Sequence, residues 1–277
     1  MNKYKLSFAA VLVVLFSSRI LAQGFYNPQN YDQEDEAVAE QAIRNPVSVT
    51  LPRKLIDAPT ANMLPRGSFD FDFRAYPRGG IFGAVDIGLT DWFMLGVAYG
   101  GENILGEGGV NWNPRVEFNA KVRIIPETYQ LPSVALGFDS QGTGAYDDSL
   151  KRYSIKSKGF FAVASKNYYW GSIPMGLHGG INYSLENKDK DESVNLYFGT
   201  DFTFNEQVVL GLTYDLGLND NKDNGYYGEG KGYLDLGLRW LYSETFQLEF
   251  QLKNLLQNRE NSTTVSREFR LIYIEFF

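Results

Sequence analysis

The chain of 277 residues has no cysteine, which excludes disulfides, thiol catalysis and zinc–thiolate sites. It has one histidine, His178, which excludes a multi-histidine metal centre. Basic residues are in deficit, 26 Lys and Arg against 33 Asp and Glu, for a net charge of −7. A chain so charged lacks the basic face that a nucleic-acid binder needs. Long hydrophobic runs are also missing. The longest, Leu6 to Phe16, is too short to cross a bilayer as a helix. With a mean hydropathy of −0.27 and 21% charged residues, the chain is no helical membrane bundle. What it does have is 28 glycines and an aromatic content of 15%.

Residues 1–22 read as a signal peptide. Lys3 and Lys5 form the positive start, Leu6 to Phe16 the apolar stretch, and Ser17, Ser18 and Ala22 the small-residue exit, with cleavage expected after Ala22. Residues 23–66 read as a periplasmic leader, extended or partly disordered, or forming a short helix over Asp32 to Arg44. Its acidic run, Asp32, Glu34, Asp35, Glu36 and Glu40, suits a solvated tail or a docking tail for a basic partner. Pro46, Pro52, Pro59 and Pro65 then block helix and central strand.

From Gly67 to Phe277 a period of two takes over. Phe69, Phe71 and Phe73 alternate with Asp70, Asp72 and Arg74; Val116, Phe118, Ala120 and Val122 with Glu117, Asn119, Lys121 and Arg123. Each segment therefore has one apolar and one charged face. Segments of roughly ten residues match tilted membrane-crossing strands rather than soluble ones of about five or six. Aromatics such as Trp92, Trp112, Trp170, Trp240 and Tyr242 crowd the segment ends, as interfacial girdles do. The fold expected is all-β, a transmembrane antiparallel up-and-down β-barrel of about twelve strands. Strands should start near Gly67, Gly80, Phe93, Asn113, Pro132, Gly159, Pro174, Val194, Val208, Gly232, Phe246 and Arg267. Tight turns such as Leu89–Phe93, Phe204–Val208 and Tyr242–Phe246 should lie at one end and longer polar loops at the other.

The charged face assigns Asp70, Asp72, Arg74, Asp86, Arg115, Glu117, Lys121, Arg123, Asp201, Asp215, Asp235 and Arg239 to the lumen, together with Glu249, Lys253, Glu268 and Arg270. These residues suit either a polar permeation path or an ion-pair lattice filling a barrel of intermediate bore. At the carboxy end, Phe269, Leu271, Tyr273 and Phe277 share one face. They resemble the terminal signal read by the barrel assembly machinery, although Glu275 interrupts the pattern. Ile272, Ile274 and Phe276 make the opposite face apolar too, so this strand should seat against something inside the barrel.

Several segments resemble YjbH-type proteins encoded with exopolysaccharide operons. They are Pro59-Thr60-Ala61-Asn62-Met63-Leu64-Pro65-Arg66-Gly67, Glu117 to Pro126, Leu131 to Asp139, Gly142-Thr143-Gly144 and Phe161 to Lys166, within roughly Ile56 to Ser184. The resemblance implies an outer-membrane barrel linked to surface polysaccharide secretion.

Catalytic motifs are poorly supported. Gly225 to Gly232 is one residue from a phosphate-binding loop, but Gly232 replaces the required hydroxyl. Aligning Asn219 to Gly225 as a calcium loop, with Asp220 first, puts Lys222 where an oxygen is needed. His178 could pair with Ser165 or Ser184, but no acidic orienter can be assigned. The expectation is a non-enzymatic barrel without cofactor or metal, assisting exopolysaccharide export or envelope organisation. Its partners would be outer-membrane lipid, the assembly machinery, and polysaccharide or export proteins. A porin-like small-solute channel is the alternative.

Overall fold

The computed structural model describes residues 51–221, 227–259 and 265–277. Among these described residues, seventeen strands follow in chain order. They are β1 (Lys54–Leu55), β2 (Ala58–Pro59), β3 (Ser68–Tyr76), β4 (Gly80–Thr90), β5 (Phe93–Glu102), β6 (Asn111–Trp112), β7 (Glu117–Ile125), β8 (Ser133–Asp139), β9 (Thr143–Asp147), β10 (Arg152–Ile155), β11 (Gly159–Trp170), β12 (Ile173–Tyr183), β13 (Asn195–Phe204), β14 (Val208–Asp215), β15 (Tyr233–Leu241), β16 (Phe246–Lys253) and β17 (Ser266–Phe276). Twelve of them form the wall: β3–β5, β7, β8 and β11–β17. Every wall strand pairs antiparallel with its neighbours, and the β17–β3 and β4–β5 pairings close the barrel. The barrel thus has no free edge.

The period of two sets the wall's two faces. Ser68, Asp70, Asp72 and Arg74 are buried inside, while Phe71 on the same strand is exposed. Leu95, Val97, Phe118, Leu136, Leu177 and Phe250 extend the outward apolar belt. Trp92, Tyr169, Trp170 and Tyr242 are exposed at the end that carries both Gly67 and Phe277, where the Phe277 amide donates to Gly67 O at 2.9 Å. The short connections 91–92, 171–172, 205–207 and 242–245 also lie at this end. Asn205 and Glu206 take φ of 49° and 58°, the left-handed pair of a tight hairpin turn. Short turns mark this as the periplasmic end; the opposite end carries the long loops.

Three expectations are corrected. β7 starts at Glu117 rather than near Asn113. Asn111–Trp112 pair with β5, and then Pro114, which has no N–H, breaks the ladder. The polar connection Ser140 to Ser157 contains a hairpin, β9–β10, whose Arg152 and Tyr153 are completely buried. Above all, the leader expected through Arg66 does not remain a periplasmic tail over its last part. Residues 51–64 lie inside the barrel, and Arg66 emerges at the periplasmic rim, where its amide donates to Asp91 at 3.2 Å. The signal peptide, the Asp32–Arg44 helix and most of the leader fall outside the described residues.

The inner segment is a compact plug. β1 and β2 pair across Ile56 and Asp57, and Thr60 N donates to Arg53 O at 3.0 Å. Thr60 Oγ1 and Asn62 Nδ2 both donate to Pro52 O, at 2.6 and 3.0 Å, cross-tying the two limbs. Pro52, Pro59 and Pro65 supply no donors, so the segment cannot enter the wall as a central strand.

Candidate functional site: the plugged lumen

The wall is shaped to receive the plug. Leu55 and Ile56 are buried against three inward glycines on adjacent strands, Gly199, Gly211 and Gly237. A Cβ at Gly199 would stand 2.9 Å from Leu55, and one at Gly237 3.1 Å from Ile56. On the return limb, Met63 and Leu64 pack with Met94, Ile272 and Ile274. The second apolar face of the last strand thus seats against the plug through Ile272 and Ile274, whereas Phe276 is exposed. Ala58 and Ala61 pack with Ala135, Phe161, Val163 and Tyr197. Each buried Leu, Ile or Met side chain contributes about 1.5–3 kcal/mol.

Polar contacts fix the plug's depth. Arg74 donates from Nη1 to Asp57 at 2.5 Å and from Nη2 to Ile56 O at 3.1 Å. Lys253 also pairs with Asp57. Lys121 Nζ donates to Thr60 O at 3.1 Å and to Asn62 O at 2.5 Å. Arg239 Nη2 donates to Lys54 O at 3.1 Å. In the other direction the plug supplies cations: Arg53 pairs with Asp70, and Lys54 Nζ with Asp139 at 2.5 Å. Independent of the plug, Arg270 forks onto Asp72 at 2.9 Å to each oxygen, and Arg239 Nε donates to Glu249 at 2.8 Å.

The remaining lumen candidates are placed as follows. Asp86 accepts from Asn119 Nδ2 at 2.6 Å, and Asp235 accepts the Asn254 amide at 2.7 Å. Asp215 accepts from Asn195 Nδ2 at 2.7 Å and pairs with Lys158. Glu117 accepts the Tyr153 hydroxyl at 3.1 Å. Two candidates sit at the rims instead of deep in the lumen. Arg115, with a side chain 54% exposed, reaches Glu117 at 3.1 Å from outside the strand, because Pro114 has already broken the ladder. Arg123 bonds Asp91 O at 2.6 Å on the periplasmic turn. Of the terminal residues, Phe269, Tyr273 and Phe277 are exposed on the outer face, with Leu271 half-buried between them.

At the loop end the β9–β10 hairpin folds into the mouth. Arg152 Nη1 donates to Asp189 at 2.5 Å and to Asp220 at 3.1 Å. Lys156 Nζ donates to Asp189 at 2.8 Å, and the Tyr153 amide donates to Glu186 at 3.0 Å. Burial pushes the Glu186 carboxyl up to about 7. The Ser149 hydroxyl and Leu150 amide hold Asp147 down at about 2.

The wall also holds a relay that sequence reasoning left incomplete. His178 Nδ1 lies 2.8 Å from Ser165 Oγ, and its Nε2 lies 2.7 Å from Asp201. Ser165 Oγ in turn accepts the Ala61 amide of the plug at 2.8 Å. Asp201 accepts from Nε2, and Nδ1 shares the second hydrogen bond with Ser165 Oγ. Asp201, expected in the lumen, is the acidic partner that could not be assigned. It could have been found from the tight turn at 171–172, which puts Ser165 opposite His178, and from the parity of β13. Gly176 makes the room, since a Cβ there would lie 2.4 Å from Asp201 Oδ1. Ser165 is only 1% exposed and capped by the plug, so no substrate reaches it in this state.

One void between plug and wall, lined by Arg53, Lys54, Asp86, Lys121, Asp139 and Arg270 among others, is about 20 Å³. That is room for about one water. No group of His, Asp and Glu side chains among the described residues is arranged to hold a metal ion. The glycine-rich 225–232 and the 219–225 segments lie partly outside the described residues.

A family model described as "Exopolysaccharide biosynthesis protein YbjH" matches residues 53–267, from the plug's first limb to the last strand. The chain belongs to the YjbH family. The motif Pro59–Gly67 of this YjbH-family chain is the plug's return limb and its exit to β3. No curated protein matches the chain. Among solved structures it is similar to a KdgM porin (11% identity, 76% of this chain and 99% of that chain, TM-score 0.43). It is also similar to an outer membrane channel from Pseudomonas putida F1 (12%, 77% and 97%, TM-score 0.40). A third is outer membrane phospholipase A from Escherichia coli (9%, 77% and 97%, TM-score 0.37).

Proposed function

We propose that this chain is a non-enzymatic, plugged outer-membrane barrel that acts as an accessory to exopolysaccharide export. Residues 1–22 direct its export and are cleaved after Ala22. The barrel assembly machinery then inserts the strands, reading Phe269, Leu271, Tyr273 and Phe277. The observation that carries the reading is the plug. A static structural barrel has no need of a separately threaded segment seated by matched glycines and ion pairs. A constitutively open solute channel would leave its lumen charges wet, whereas Asp70, Glu117 and Lys253 are at most 1% exposed. The family's description supplies the polymer class.

Two measurements test this. Purified protein in planar bilayers should be electrically silent at rest, and deletion of the gene should lower surface exopolysaccharide. Large steady conductance with unchanged exopolysaccharide would support the small-solute channel instead.

A further inference from the structure

Four wall cations donate to oxygens of the plug at successive depths. Arg239 and Lys121 hold the backbone carbonyls of Lys54, Thr60 and Asn62. Arg74 and Lys253 converge on one carboxylate, that of Asp57, at the plug's tip. Arg239 lies near the periplasmic end of β15, and Lys253 near the loop end of β16, so this ladder runs most of the lumen's height. In exchange, two wall acids, Asp70 and Asp139, are neutralised by Arg53 and Lys54 of the plug. Withdrawal of residues 51–66 would take these partners from both sets along one track, leaving Arg239 only Glu249 and leaving Arg74 and Lys253 to share Glu268. Buried charges cannot remain short of partners without large cost. The vacated lumen must take up water or a ligand that repeats the plug's pattern of acceptors, one carboxylate and donors.

We propose that the plug occupies a binding track for an acidic glycan, with a uronate carboxylate taking the seat of Asp57 between Arg74 and Lys253. Sugar ring and hydroxyl oxygens take the places of the plug carbonyls on Lys121 and Arg239. Sugar hydroxyls donate to Asp70 and Asp139, which accept from the plug cations when the plug is in. The site rests on the exopolysaccharide reading above and deepens it by naming the sugar chemistry. Plug and polymer are then competitive, so the polymer itself opens the barrel and its passage lets the plug return.

The absence of cysteine makes the test direct, because one introduced thiol is the only one in the chain. Full-length protein in detergent carries Ala61→Cys, buried in the plugged state, or Leu55→Cys should the first fail to assemble. Heat-modifiable gel mobility checks assembly. Thiol modification is timed with short oligomannuronate, with neutral malto-oligosaccharide of equal length, or with neither, at equal ionic strength. Oligomannuronate should speed modification roughly tenfold, corresponding to about 1.4 kcal/mol of preferential binding to the unplugged state. Malto-oligosaccharide should leave the rate unchanged, and Lys253→Gln should abolish the ratio between the two sugars. No acceleration by oligomannuronate, or equal acceleration by both sugars, overturns the proposal. Either failure leaves the deletion phenotype standing, so a wrong sugar class is distinguishable from a wrong function.

Discussion

Replacing Asp57 by alanine should loosen the plug by about two orders of magnitude. In the plugged barrel Arg74 and Lys253 share two carboxylates, Asp57 and Glu268. Asp57 bonds Arg74 at 2.5 Å and pairs with Lys253, while Glu268 lies 3.7 Å from Arg74 and 3.4 Å from Lys253. Both cations are almost wholly buried, with side chains 3% and 1% exposed. Asp57→Ala leaves two buried cations sharing the Glu268 carboxylate. Breaking a buried pair costs about 3–5 kcal/mol. Residual neutralisation by Glu268 puts this case at the lower end, about 3 kcal/mol. With the plug out, the cations and Asp57 are solvated, so the penalty falls on the plugged state alone. That corresponds to a roughly hundredfold rise in the unplugged fraction. Hydrogen exchange at the Thr60 and Ala61 amides, bonded to Arg53 O and Ser165 Oγ, should speed up by the same factor. Brief openings should appear in planar-bilayer recordings. Lys253→Met added to Asp57→Ala removes one orphaned charge, so the double variant should lose less than the two singles combined. Unchanged exchange in Asp57→Ala, or strict additivity of the pair, would refute the account of how the plug is held.

Other outcomes follow from the same geometry. Gly237→Val should raise unplugging at least as clearly, since its Cβ would crowd Ile56 at 3.1 Å and Glu249 at 2.9 Å; the same exchange assay reads it. Phe118→Arg, on the exposed face, should cost insertion about 2–4 kcal/mol at mid-depth in refolding into lipid. Asn119→Arg, one residue along on the inner face, loses the Asp86 bond and meets the tight approach to Gly96, so it should weaken plugging without loss of lipid insertion. For Glu186 the folded carboxyl titrates at about 7 and the unfolded one at 4.5, so the fold holds an extra proton between these values. Docking of the β9–β10 hairpin should therefore weaken as pH rises from about 4.5 to about 7. Proteolysis of the 140–158 segment should increase over that range in the native chain and lose most of its pH dependence in Glu186→Gln. Gly176→Ala should disturb the His178–Asp201 contact, detectable as a shift in the imidazole nitrogen resonances.

Much of the wall was legible because a half-lipid strand must alternate. Strands expected from Gly80, Phe93, Gly159, Val208 and Phe246 begin at those residues. The three tight turns were readable from a polar pair between hydrophobes. The start at Asn113 was misplaced because alternation alone cannot see that Pro114 interrupts the ladder. Parity likewise set which residues face in, yet could not say what they meet there, so Asp201 was placed inward without its bond to His178.

The sequence by itself determined the barrel, the outward belt and the inward charge, because side-chain direction in a strand is local and has a period of two. Only the tertiary structure decided that the lumen is filled. Residues 51–66 have the prolines and mixed polarity of a tail, and nothing local distinguishes a solvated tail from an inserted one. Leu55 and Ile56 find their seat in glycines that lie more than a hundred residues away in the chain and become neighbours only when the sheet closes. Asp57 finds its cations on β3 and β16, strands separated along the chain and joined around the closed wall through β17. Long-range pairing of this kind carries no local periodicity, which is why the plug remained hidden until the barrel was complete.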